Sequence, residues 1–442
     1  MDDVQINLSR FPLFFPEKRD FFLQDAGIFD FANLSGAANG RPFFSRRIGL
    51  APDGAPIDLW GGTKWSGRVG PVSFGLLDVQ QRSFRIARQS DPLDPTTRQI
   101  DRVGSNNLGV GRFTVDVLEE SRIGAIATVG DPHTDLDAWT VGADWLYRTS
   151  RLFGGQQLDH RLWILKSDRE GEDRGQLAWG TRLAYPNDAF SWSLQYHELQ
   201  EGFDPALGRT PRPGTRSYSG HVALRERTEG AVRFYETELN AAVFTDLRNV
   251  EDTREVVALA AVEGRVGDRA EVRWVHRYDR GGFGIWPGVF VPAGDYTFDA
   301  AVLLLTTSPT RPVAASLFAS AGEFYDGTRY DLDPSVTVRV GPHWAVSASM
   351  SNAFVRLPQG DFDARLARLR LSWQPTPDVV WSTFVQWSNR SDAIGVQSRL
   401  QWIVTPGREV FVVLTQDVPD VDTGARRGRT LAIAKVGWTL RF

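Results

Sequence analysis

The chain has no cysteine and only two methionines. Without cysteine there is no disulfide scaffold, no thiolate catalysis and no Cys-ligated metal site, and a chain can cross an oxidising compartment unpaired. Apolar runs such as Ala300 to Leu305 are short and soon broken. None approaches the roughly 18 residues that a membrane-spanning helix needs. The six histidines, His133, His160, His197, His221, His276 and His343, form no HExxH or comparable metal spacing. His133 beside Asp131 and Asp135 reads as a solvated loop rather than a cation site. Asp159-His160 and His197-Glu198 are adjacent pairs, so on a strand their side chains point to opposite faces and make no catalytic couple. Gly281 to Gly288 holds Phe283, Ile285 and Trp286 and lacks a Lys-Ser/Thr ending, so it is no phosphate loop. No constellation for an enzyme and no cofactor is expected. A net charge of -4 and a pI near 6.0 give no reason to expect nucleic acid as partner. Met1-Asp2-Asp3 opens no signal peptide, since no apolar run follows. The expectation is that an export signal and a further domain precede residue 1.

Aromatic residues are plentiful, with 15 Trp and 27 Phe, although mean hydropathy is only -0.28. From Phe43 onward hydrophobicity alternates with period two. Ala367, Leu369, Leu371 and Trp373 oppose Arg368, Arg370 and Ser372. Ile394, Val396, Leu400 and Trp402 oppose Gln397, Arg399 and Gln401. Phe190, Trp192, Leu194 and Tyr196 oppose Ser191, Ser193, Gln195 and His197. Tyr235, Leu239, Ala241 and Val243 oppose Glu236, Glu238 and Asn240, and Val272 and Trp274 oppose Glu271, Arg273 and Arg277. In the last segment Ala432, Ala434, Val436, Trp438, Leu440 and Phe442 oppose Lys435, Thr439 and Arg441, which Leu431, Ile433 and Gly437 join on their face. These segments run about 10 to 14 residues, near the span of a tilted membrane strand and longer than an ordinary strand of about 5 to 6. Trp373, Trp387, Trp402 and Trp438 fall near segment ends, which suits an interfacial girdle.

Short connections alternate with longer ones. Thr405-Pro406-Gly407, Gln374 to Pro377, Gly341-Pro342-His343, Ser308 to Thr310, Val266-Gly267-Asp268, Thr228-Glu229-Gly230, Pro186-Asn187 and Arg68-Val69-Gly70 belong to one set. Pro419 to Gly428, Gly281 to Ala293, Glu201 to Thr215 and Arg82 to Ser105 belong to the other. This is the layout of an antiparallel transmembrane β-barrel with short periplasmic turns and longer outer loops. Counting back from Phe442 to Phe43 gives about 22 strands, an even number (16–22 plausible). Residues 43–442 would form the barrel and residues 1–42 a plug or periplasmic cap. In that first segment Pro16 and Glu17 suit the start of a helix over Glu17 to Gln24. Arg10, Lys18 and Arg19 would pair with Glu17, Asp20 and Asp25.

Arg10-Phe11-Pro12-Leu13-Phe14-Phe15-Pro16-Glu17-Lys18-Arg19-Asp20-Phe21-Phe22-Leu23, followed by Ile28-Phe29, Phe43-Phe44-Ser45-Arg46-Arg47-Ile48-Gly49 and Gly61-Gly62-Thr63-Lys64, resembles an uncharacterised family of bacterial outer-membrane proteins. In that family a barrel usually follows a periplasmic module similar to family-nine carbohydrate-binding modules. The layout resembles the family throughout, the sharp motifs lie in roughly the first seventy residues, and the upstream module is missing here. The resemblance implies a fold and a compartment, the bacterial outer membrane, and carries no catalytic residues. The partners implied are the lipid bilayer with its outer-membrane lipids, and barrel-assembly machinery that would read the last strand ending at Phe442. A polar solute or a glycan would be the ligand.

The site expected from the pattern is a charged lumen lined by Glu236, Glu238, Glu271, Arg273, Arg277, Arg368, Arg370, Arg399 and Lys435, beside a plug or cap motif of Arg10, Glu17, Lys18, Arg19 and Asp20. Such charges either select solutes by sign or pair with one another and fix the wall. Three functions follow. The first is a channel or transporter for small polar solutes, saccharides among them. The second is a surface assembly or anchoring protein that tethers a periplasmic module, and the third, with least support, is an outer-membrane hydrolase.

Overall fold

The computed structural model describes residues 3–34, 38–52, 54–91, 94–419 and 429–438. It is 66% strand and 3% helix, and 21 of its strands belong to one antiparallel sheet. The chain is therefore all-β, with the strand content and the hairpin-to-hairpin connectivity of an antiparallel barrel wall. It divides into two compact units. One comprises Phe11–Val222 and Ala241–Thr253; the other comprises Met1–Arg10, Ala223–Asn240 and Arg254–Phe442.

The first unit holds β1 (Leu59–Val69), β2 (Val72–Gln81), the separate hairpin of β3 (Phe84–Asp91) and β4 (Asp94–Val103), then β5 (Asn107–Val117), β6 (Ser121–Val129), β7 (Ala138–Leu152), β8 (Gln156–Arg169), β9 (Leu177–Pro186) and β10 (Phe190–Leu199). β1 pairs with β2, β2 with β5, and each later strand with the next. β11 (Thr215–Arg227), β12 (Val232–Asp246) and β13 (Glu251–Gly264) run through residues of both units.

The second unit continues with β14 (Arg269–Arg280), a small hairpin of β15 (Phe283–Trp286) and β16 (Val289–Val291), β17 (Asp295–Thr306), β18 (Val313–Phe324), β19 (Gly327–Val340), β20 (Trp344–Arg356), β21 (Phe362–Thr376), β22 (Val379–Ser388), β23 (Ala393–Thr405), β24 (Arg408–Pro419) and β25 (Arg429–Trp438). β14 pairs with β17, and the rest pair in sequence order. Every connection assigned to the short set joins a hairpin, and none of the longer ones falls in that set. Two of the longer connections carry the β3–β4 and β15–β16 hairpins.

The expected start and count differ in one place. The first sheet strand opens at Leu59 rather than Phe43, and the described sheet has 21 strands rather than about 22. Ser45–Arg47 is a 3-10 turn, and Gly49 and Gly54 have φ of 73° and 83°. With Pro52 and Pro56 in the same stretch, left-handed glycines and lost N–H donors break any ladder there. The helix is also shorter than expected, Asp20–Leu23 (α1), because Arg19 is extended and the Glu17 carboxylate accepts the Lys18 and Arg19 backbone N–H groups. Phe442, with Thr439, Leu440 and Arg441, lies outside the described residues.

The alternation becomes two chemically distinct sheet faces. In the first unit one face exposes Leu162, Ile164, Trp179 and Leu194; in the second unit one face exposes Val272, Trp274, Leu369, Leu371 and Val412. Aromatic rows edge these faces at the short-turn ends. Trp344 stacks on Trp373 at 5.6 Å, with Trp381 next at 6.3 Å, and Tyr185 stacks on Trp192 at 6.4 Å. The other face is polar or covered by the N-terminal segment.

Candidate functional site

In the first unit the second face is filled. Cross-strand partners Leu77 and Val110, Val79 and Leu108, and Trp163 and Gly180 share it. Phe22, Phe29, Phe31 and Ile48 of the N-terminal segment pack into one buried cluster with Leu77, Leu108, Trp163 and Leu165. Gly75 makes room, since a Cβ there would lie 2.8 Å from Ile28 and 2.9 Å from Phe29. At the centre Arg112, 2% exposed, forms a bidentate pair with Asp144, one arm of it 2.9 Å. Its Nε donates to the Asp30 carbonyl at 3.0 Å, and Asp144 accepts the Ala32 N–H at 3.1 Å. A buried pair whose remaining polar sites are also satisfied avoids the full desolvation penalty. Here those extra bonds come from the N-terminal segment. Burial pushes the Asp30 carboxyl up in pKa, against the pull of Arg41 and Arg112.

The motif residues act as clasps. Arg19 grips Glu17 at 2.7 Å and donates to the carbonyls of Ser45 and Ile48. The Ser45 hydroxyl donates to Glu17 at 2.7 Å. Burial works against the Glu17 carboxylate, but the Arg19 and Ser45 hydrogen bonds outweigh it and hold its pKa at about 2. Lys64 of β1 donates to the carbonyls of Phe21 and Gln24, which anchors the end of α1. Arg47 donates to the Gly208 carbonyl. Asp25 accepts the Ser66 hydroxyl, and Asp20 opens α1. Arg10 belongs to the second unit, where it pairs with Asp279 at 3.0 Å. His133 is half-buried. Its Nε2 donates to the Leu50 carbonyl, and burial lowers its pKa. Among the described residues no group of three His, Asp or Glu side chains has metal-holding geometry.

In the second unit the nine expected lumen residues sit opposite exposed apolar neighbours such as Leu239, Val272, Leu369, Leu400 and Val436, although on β25 the exposed Leu431 and Ile433 share the face of Lys435; the charges fall in two electrostatic regimes. Around β12 and β14 the charges neutralise one another. Arg225 and Arg269 both grip Glu236, and Arg269 reaches Glu271 at 2.9 Å while Arg273 pairs with the same carboxylate. Arg277 pairs with Glu255 at 2.6 Å, and Asn240 donates to Glu238. Farther along, register places Arg368, Arg370, Arg399 and Lys435 together. Arg370 opposes Phe384, Arg399 opposes Ser382, and Lys435 opposes Phe411. Guanidinium groups lie over phenyl rings, Arg370 at 5.0 Å from Phe384 and Arg399 at 4.8 Å from Phe411. A cavity of about 310 Å³ opens on the same face over β14 and β17–β19, walled by Phe298, Phe318, Phe324, Asp331 and Asp333.

Sequence reading missed the contribution of residues 3–10. Val4 N–H donates to Gln386 at 2.9 Å, and Arg368 donates to the Val4 carbonyl at 2.6 Å. Asp3 lies 3.9 Å from Arg370. Leu8 is buried in a cluster with Phe298, Phe324 and Tyr325. The segment has almost no period-two signal, and its partners lie hundreds of residues away. The Arg112–Asp144 pair was equally hidden, because only register brings the two residues together. No family model and no curated protein matches the chain.

Proposed function

We propose that the chain is an outer-membrane β-barrel that conducts small polar solutes along the charged face of its strands. The observation that carries this reading is the two-faced strand. Leu369 and Leu371 are exposed on one side of β21, while Arg368 and Arg370 alternate with them on the other. An exposed apolar band edged by tryptophans fits lipid, and the opposite charged face fits water and solute. The hydrogen-bonded, buried docking of residues 11–57 supports a fixed seal rather than a moving plug. The family resemblance of the motif adds a periplasmic neighbour of carbohydrate-binding type. Conductance of the purified protein in planar bilayers is the test. Steps of current are expected, and their absence in folded protein refutes conduction.

A further inference from the structure

Four successive rows of the β21–β25 face carry cations. Arg368 stands opposite Gln386 in the first row, which runs on through Gly395 and Asp417 to Arg429, while each of the next three rows has one cation. Arg370 occupies the second row with Phe384 and Gln397, and Arg399 the third with Ser382 and Val413. Lys435 occupies the fourth, with Phe411 and Gln401. Rows on one face are two residues apart, so the cations step along the strands by about 7 Å. The carboxylates on this face, Asp417 and Glu409, stand in the first row and beyond the fourth; the rows of Arg370 and Arg399 hold none.

The staircase differs from the charged patches elsewhere on this face. Arg273, Arg277 and Arg329 each grip a carboxylate of the sheet itself. Arg399 bonds to the neutral Gln401, and Lys435 faces a phenyl ring. Arg370 finds its ion partner in Asp3, carried in by the N-terminal segment. Arg368, too, is met by that segment, through the Val4 carbonyl and the charge of Asp3, with Asp333 of β19 a further anion acting on it.

We infer that this staircase selects small anionic solutes, and that the Asp3 carboxylate is a resident anion holding the place of one. The inference rests on the conduction proposed above and names the solute class. Evenly spaced cations, with no carboxylate in the rows of Arg370, Arg399 and Lys435, lower the energy of an anion along those steps and hand it from one to the next without a deep trap. Asp3 at 3.9 Å is a weak occupant that a passing carboxylate or phosphate displaces.

The test is the reversal potential of the full-length protein in planar bilayers under a KCl gradient, with inorganic phosphate as a second permeant anion. Wild type is expected to favour chloride over potassium several-fold. Arg370→Gln/Arg399→Gln/Lys435→Gln should abolish that preference, and Asp3→Asn should strengthen it. Lys435→Gln alone, an exposed side chain, gives a smaller shift in the same direction if the triple variant fails to fold. Conduction without chloride preference, or a preference untouched by these substitutions, overturns the inference and leaves conduction standing. Folded wild type and Asp3→Asn that both fail to conduct overturn conduction and the inference with it.

Discussion

At the scale of single residues, the strongest constraint is Arg112. Its pair with Asp144 is buried, so removing one partner strands a charge. Arg112→Ala should cost about 3–5 kcal/mol, read as a lower urea midpoint of the folded protein in detergent. Arg112→Met/Asp144→Leu should recover much of that loss, because no charge is then left buried. Gly75 acts by size. Gly75→Val places atoms inside contact distance of Ile28 and Phe29 and should cost about 1–3 kcal/mol, with residues 11–57 becoming sensitive to protease. Glu17 supplies the pH dependence. Its native pKa of about 2 lies below the usual carboxylate value, so its stabilisation is complete above about pH 4.5 and is lost as pH falls towards 2. Pepsin should spare the N-terminal segment at pH 4 and cut it near pH 2. Glu17→Gln should remove that acid step and be cut at both values.

At the scale of elements, the face of a strand was legible where period two survives, as on β14 and β21, and less so on β25, where Leu431 and Ile433 share the face of Lys435. Leu369 and Arg370 show why it matters. An arginine is tolerated at 370, yet Leu369→Arg on the exposed apolar face should cost about 2–4 kcal/mol at bilayer depth, read as a shifted denaturant midpoint in lipid vesicles. The same substitution should leave the midpoint unchanged in a detergent that hydrates the site, so the comparison separates lipid exposure from packing. Connection lengths were legible for the same reason, since short turns hold Gly, Pro and Asn at fixed offsets. What was not legible is pairing between strands far apart in sequence. Glu236 and Glu271 read as lumen charges, and the structure shows Arg269 and Arg273 on the same strand neutralising Glu271, while Arg225 and Arg269 reach Glu236 from other strands. Arg399 and Lys435 read identically, and only register shows that no acid stands opposite. The start of the sheet was misplaced because the alternation at Phe43 belongs to residues that bond to the Leu207 and Gly208 carbonyls and not to a ladder.

At the scale of the whole molecule, the N-terminal residues divide by the distance to their partners. Phe11 to Ile57 find theirs within the first unit, by residue 222. Residues 3–10 find theirs at Asp279, Arg368 and Gln386. Non-local contacts form only after the intervening chain is ordered. The two stretches therefore keep different time during assembly: Phe29 and Phe31 can settle once β10 is laid down, whereas Val4 must wait until β22 exists. Refolding into lipid should show burial of a reporter at Phe31 before burial of one at Val4, and a chain stopped after β10 should still protect the former. The strap on the cationic staircase would then be the last piece set, and Asp3 the signature of a finished wall.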